Sequence, residues 1–160
     1  TAEIAQAIRP LGVTIAQHGT TGTPYDTLKN YLAGNLLKGN VGTFWQNIVL
    51  REMPEDLFKR MAKWTVEKYA KPGQFDGKLT IDELSRDEIL ADGSPYAAFL
   101  SDNIKNAIKL FKAEIDSMPV EDMLRIIEAT KQGAYEWFDA FNAQDKIWDI
   151  IDALGWGWKK

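Results

Sequence analysis

The sequence predicts a mainly α-helical fold, a single irregular bundle of about six or seven helices with a small two-stranded feature near the N-terminus. Three observations carry that expectation. Prolines and capping residues mark helix starts, apolar residues recur three and four positions apart behind those starts, and alternating strand patterns are scarce. The chain has 160 residues, of which 45% are hydrophobic and 26% charged, a composition able to build one folded core.

Residues 1–53 are the loop-rich part, and glycines are frequent from Gly12 to Gly42. Gly12-Val13-Thr14-Ile15-Ala16 and Phe44 to Leu50 are short and β-tolerant, with no turn-linked partner. Tyr25 to Lys38 reads as a helix behind Thr23-Pro24, closed by Gly39. The helical body, residues 54–154, starts at Pro54-Glu55-Asp56, whose acids complement a helix dipole, and places Leu57, Met61, Thr65 and Tyr69 on one face. Thr80 and Glu83 have capping-box spacing, which predicts another helix from Thr80 to Ala91. Ser94-Pro95 opens a helix with Leu100, Ile104, Ala107, Ile108, Phe111 and Ile115 on its apolar face. Pro119-Val120-Glu121-Asp122 opens the next, with Val120, Met123, Leu124 and Ile127, then Tyr135, Phe138 and Phe141 as core aromatics beyond a kink or break at Gly133. Ile147, Ile150, Ile151 and Leu154 form a short final helix, and residues 155–160 are a Trp-rich tail. The whole is read as one domain over residues 1–160.

Composition narrows the function classes. The formal charge of −4 has the wrong sign for a general nucleic-acid binder. With no cysteine, disulfide scaffolds, thiolate zinc sites, iron–sulfur clusters and cysteine nucleophiles are excluded, and the lone histidine, His18, removes two-histidine mechanisms. The sequence contains neither a signal-peptide pattern nor the run of about 18 to 20 apolar residues that crosses a bilayer, so a soluble protein is expected. It begins Thr1-Ala2 without an initiator methionine, consistent with processing or with a piece of a longer chain.

Asp76-Gly77-Lys78-Leu79-Thr80-Ile81-Asp82-Glu83 resembles the second half of an EF-hand calcium loop. The resemblance implies a side-chain ligand at Asp76, the mid-loop turn at Gly77, a backbone carbonyl from Lys78, a water-linked contact from Thr80 and a bidentate grip from Glu83. It departs from the family at the loop's start, where Pro72 and Gln74 stand in place of acidic or amide ligands. The same residues also read as an Asp-Gly turn leading into the Thr80/Glu83 capping box.

Gln17-His18-Gly19-Thr20 resembles the His-Gly-Thr strand end of ADP-ribosyltransferases of the diphtheria-toxin and poly-ADP-ribose polymerase type. That resemblance implies a strand-rich body in which His18 holds the ribose of NAD, with Tyr25 or Tyr96 as stacking tyrosine and Glu114 or Glu136 as catalytic acid. A structural histidine bridging a loop is the other reading, and Gly19 to Thr23 reads either as an anion-wrapping turn or as a loop with Thr23 as N-cap.

The adjacent acid pairs Glu55/Asp56, Asp82/Glu83, Asp87/Glu88 and Glu121/Asp122 fall at helix starts and read as caps and solvated faces instead of a paired catalytic cleft. Four of the six tryptophans, Trp137, Trp148, Trp156 and Trp158, crowd toward the C-terminus. Trp148, Trp156 and Trp158 are the candidate partner-binding residues; Asp145, Asp149 and Asp152 before the tail argue against an anionic membrane. The expectation is therefore a non-enzymatic helical protein-interaction domain, a piece of a larger secreted or assembly-forming protein, needing no cofactor, with a calcium-modulated variant of the same reading through Asp76–Glu83. Its alternatives are a small ADP-ribosyltransferase-like effector using His18 and a membrane-active protein using the tail.

Overall fold

The computed structural model describes residues 2–30, 36–141 and 143, and over these it is mainly α-helical, with eight α-helices and one two-stranded sheet. The expected final helix with Trp148, and the tail with Trp156 and Trp158, lie outside the described residues. The chain divides into two compact units, Thr1–Gly42 with Lys131–Lys160, and Thr43–Thr130.

In the first unit, α1 (Ala2–Ile8) leads through a 3-10 turn, Arg9–Leu11, to Gly12, whose left-handed backbone ends the turn. Strand β1 (Ile15–Gln17) pairs in parallel with β2 (Leu36–Gly39). A further 3-10 turn, Thr20–Gly22, and the single-turn helix α2 (Tyr25–Leu28) follow β1. The long helix expected over Tyr25 to Lys38 is thus corrected: one turn forms, and its last residues become a strand. A parallel partner returns by a crossover and leaves no hairpin signature, so local pattern could not reveal it. Pro24, not Thr23, holds the cap position of α2, and its carbonyl accepts from the Thr27 and Leu28 amides. Ala5, Thr20, Leu28, Gly133, Trp137 and Ala140 are the unit's buried residues among those described.

The second unit begins with α3 (Thr43–Glu52), where the sequence suggested a β-tolerant loop. β-propensity is easily overridden by packing, and the 46-49-50-53 spacing of Gln46, Val49, Leu50 and Met53 is the helical signal that was overlooked. Helix α4 (Glu55–Tyr69) matches expectation: Leu57, Met61 and Thr65 are buried with Phe58 and Ala62, while Tyr69 is exposed. Burying each large apolar side chain contributes about 1.5–3 kcal/mol. The buried Thr65 hydroxyl is satisfied by donating to the Met61 carbonyl at 2.7 Å.

No helix begins at Thr80. The Thr80 amide and hydroxyl donate to Glu83 Oε2 at 2.7 and 2.8 Å, closing a turn that sends Ile81 into the core. Helix α5 (Arg86–Leu90) starts one signal later, on a reciprocal capping box: Ser85 Oγ accepts from the Glu88 amide, and Glu88 accepts from the Ser85 amide. Two boxes of equal spacing stood five residues apart, and the second won.

Helix α6 (Pro95–Asn103) has Ser94 as N-cap and Pro95 at its first position, as expected. The long apolar run then breaks into a 3-10 segment, Ile104–Ala107, and α7 (Lys112–Asp116). Leu100, Ile104, Ala107 and Phe111 are buried, but Ile108 is half exposed. Helix α8 (Val120–Ala140) runs through Gly133 without a break. Its buried face there is Gly133, Trp137 and Ala140, so Tyr135 and Phe138, expected in the core, are exposed. The second unit's core joins α3–α6, Ile81, the 3-10 segment and Phe111, with Ile115, Met118 and Ile126 packed against it.

Candidate functional site

The second unit holds a groove of about 260 Å³ walled almost entirely by apolar side chains. Helix α3 contributes Val49, Leu50 and Met53, α4 contributes Met61, and Ile104 and Ile108 form the facing wall. Ile115 and Met118 complete the lining, with Gln46 and Lys105 as its polar members. Three of the chain's four methionines are therefore in one place. Met53 and Met61 belong to the buried core and form the groove's floor, with Met118 partly buried against them; methionine's unbranched, polarizable side chain adapts to irregular apolar surfaces.

The walls are held by polar contacts at their ends. Arg125 donates from Nη2 and Nε to the Glu52 carbonyl at 2.6 and 3.2 Å, and Arg86 donates to the Met53 carbonyl. These guanidiniums satisfy carbonyls that the end of α3 leaves without helical partners. Gln46 Nε2 donates to the Ser101 carbonyl at 3.0 Å, tying the other part of α3 to α6. Arg60 pairs with Glu114 and lies 5.7 Å from the Phe111 ring centroid, which fixes the segment carrying Ile115. The bond to Glu114 foremost, with the charges of Glu114 and Asp56, holds the Arg60 guanidinium above its already high ordinary range.

The residues of the EF-hand resemblance are placed differently. Gly77 has φ of 70°, as a sharp mid-loop turn requires. Asp76, Lys78 and Thr80 line a depression of about 350 Å³ with Glu67, Asp82 and Lys63, so its acids are interleaved with two lysines. Lys63 is paired with Asp82, whose hydrogen bond and charge raise the ammonium above its ordinary range. Glu83 turns its carboxylate onto Thr80; that backbone and hydroxyl bonding holds it below its usual range. No group of three or more acids or histidines is gathered to hold a metal ion among the described residues. Of the residues the resemblance names, Asp76, Lys78 and Thr80 line this depression, while the Glu83 carboxylate is bonded to Thr80.

His18 is exposed just past the end of β1 and faces Asn40, just past β2, whose Nδ2 lies 2.9 Å from His18 Nδ1. The Asn40 amide donates to the Gln17 carbonyl at 2.8 Å, and the Thr20 amide donates to the Asn40 carbonyl at 3.2 Å. His18 and Asn40 thus face each other across the ends of β1 and β2. Tyr25 donates its hydroxyl to Glu136 Oε2 at 3.1 Å and stands edge-on to Trp137. Burial, then the bond to Glu136 and its charge, push the Tyr25 phenol up. Two of the residues offered for the transferase reading thus meet, but beside helices; the strands described are three and four residues long, against the strand-rich body that reading implies. Tyr96 is spent elsewhere, donating to the Leu79 carbonyl at 2.7 Å, and Glu114 holds Arg60.

The groove itself was missed from sequence. Its residues come from four separate segments: in sequence Met61, Ile104, Ile108 and Ile115 read as parts of apolar helix faces, Phe44 to Leu50 as β-tolerant, and Met53 and Met118, each directly before a proline, receive no role. Comparison with protein-family models, with curated proteins and with solved structures finds no match.

Proposed function

We propose that this protein is a non-enzymatic helical interaction domain, and that its binding element is the methionine-lined groove of the 43–130 unit, which receives an apolar-faced helix of another polypeptide. The observation that carries this reading is the open groove bounded by Met53, Met61 and Met118 and continued on one side by the half-exposed Ile108 and Leu110. Its size supports anchoring side chains in place of a whole small molecule: about 260 Å³ falls below the ~300–1,000 Å³ typical of small-molecule sites. Helix-in-groove recognition uses anchors at i, i+4 and i+7, which suits a narrow apolar channel between helices.

Charge selects among such helices. Lys105 lies on the groove and Lys109 follows four residues later, both exposed, so the favoured helix has acidic residues flanking its apolar anchors. A synthetic peptide with leucines at i, i+4 and i+7 and glutamates on one flank is the probe. Calorimetric titration should give saturable binding that Ile108→Asp weakens at least about tenfold and Lys105→Glu reduces in a salt-dependent way. Equal binding by the wild type and Ile108→Asp would remove the groove from the account.

A further inference from the structure

We infer that a second copy of this chain is the groove's partner, presenting the start of α8 as the apolar helix. This rests on the reading of the groove as a helix site. Val120, Leu124 and Ile127 occupy i, i+4 and i+7 of α8 and are 62, 58 and 59% exposed. These are the anchor positions that a helix needs to fill such a groove. The opposite side of the same helix is already secured: Ile126 packs on the core, and Arg125 bonds to Glu52 and to Asp122. The presented face is therefore preorganised, and pairing costs little ordering entropy compared with folding a free peptide.

The charges match as well as the shapes. Glu121 and Glu128 are seven residues apart, so they lie on one flank of the Val120–Leu124–Ile127 stripe. Lys105 lines the groove, and the exposed Lys109 directly follows its wall residue Ile108. Acidic flank against basic rim favours the copy-to-copy contact and fixes its direction. Helix and groove belong to the same 43–130 unit, so every copy carries both halves of the contact. Reciprocal pairing closes a dimer, and head-to-tail pairing gives longer species; both are built from this one contact.

The test is sedimentation velocity of the full chain over a concentration series, with paired charge reversals. The wild type should sediment faster as concentration rises, and added salt should weaken the effect. Glu121→Lys/Glu128→Lys, or Lys105→Glu/Lys109→Glu, should each weaken association at least about tenfold. Mixing the two variants should restore it, because each then meets an opposite charge. All four positions are exposed, so folding is retained, and Leu124→Glu provides an uncharged-position control that should abolish association. A chain that stays monomeric while its groove still binds the leucine–glutamate peptide overturns the self-pairing and leaves the groove reading standing. Association that neither reversal changes, in a chain that does not bind the peptide, overturns both.

Discussion

Truncating Ile104 and Ile108 to alanine in parallel separates the groove's structural wall from its contact surface. Both residues line the groove, four positions apart, but Ile104 is 1% exposed and Ile108 50%. Ile→Ala removes roughly three methylene equivalents, worth about 0.8 kcal/mol each when fully buried, so the transfer cost at Ile104 is about 2.4 kcal/mol. The cavity left behind adds to this, giving roughly 2–4 kcal/mol, with the lower part of the range favoured because the new space opens into an existing groove. At Ile108 about half the area is already in water, and the cost falls to about 1 kcal/mol. Urea unfolding followed by methyl signals of Leu57 and Ile89 should show a midpoint drop at least twice as large for Ile104→Ala, with unchanged slope. Peptide binding by Ile108→Ala should nevertheless weaken about as much as by Ile104→Ala. Equal destabilisation by the two substitutions would mean that the 104–108 segment is not the groove wall described here.

Three further outcomes follow from local geometry. Ser85→Ala should cost about 1 kcal/mol and speed amide exchange in α5, because the Glu88 amide loses its acceptor; unchanged protection would show that the cap is not formed. Glu83 and Glu88 are held below their ordinary value of 4.5, Glu83 by the Thr80 amide and hydroxyl and Glu88 by the Ser85 hydroxyl and amide. Their folded values are depressed, so their contribution is complete above about pH 4.5 and is lost as pH falls through the folded values. Stability measured by urea should therefore fall less steeply with acid in Glu83→Gln/Glu88→Gln than in the wild type, and identical slopes would rule these bonds out. Gly39→Ala should destabilise the unit built on β1 and β2 by about 1–3 kcal/mol, since its Cβ would stand 2.7 Å from Phe141 Cζ and 3.2 Å from the buried Thr20 hydroxyl. The Asn40 amide, bonded to the Gln17 carbonyl, should then exchange faster; unaltered exchange would contradict that close approach.

The elements that were legible in the sequence are those whose local signals face no rival. Pro54 with Glu55 and Asp56, Ser94-Pro95, and Pro119 with Glu121 and Asp122 each mark a true helix start. Where two signals compete, the sequence leaves the choice to packing: Thr80/Glu83 and Ser85/Glu88 offer the same box, and burial of Ile81 goes with the later start. Strand β2 is invisible because its partner β1 lies across a crossover and its residues continue a helical pattern. Gly133 illustrates the converse. It suggests a break, yet α8 continues because the small residue sits on the buried face with Trp137 and Ala140.

The groove was the least legible feature for the same reason that makes it coherent as a site. Its lining comes from four segments distant in sequence, and only the tertiary arrangement sets the partly exposed Ile108 and Met118 above the buried Met53, Met61 and Ile104. The motifs that drew attention first, Asp76 to Glu83 and His18 to Thr20, are short; Thr80 and Glu83 close a local turn, and His18 faces Asn40 across neighbouring loops.

A titration of methionine-methyl-labelled protein with the leucine–glutamate peptide, read by NMR, decides whether the groove receives a helix. Met53, Met61 and Met118 line the groove, and in the Glu121→Lys/Glu128→Lys protein, whose groove is intact and whose self-pairing is weakened, Met123 lies outside that lining and serves as the internal reference. Helix binding in the groove predicts saturable shifts of the three groove methyls with little change at Met123. Shifts confined to Met123, or none at any methionine, would contradict it.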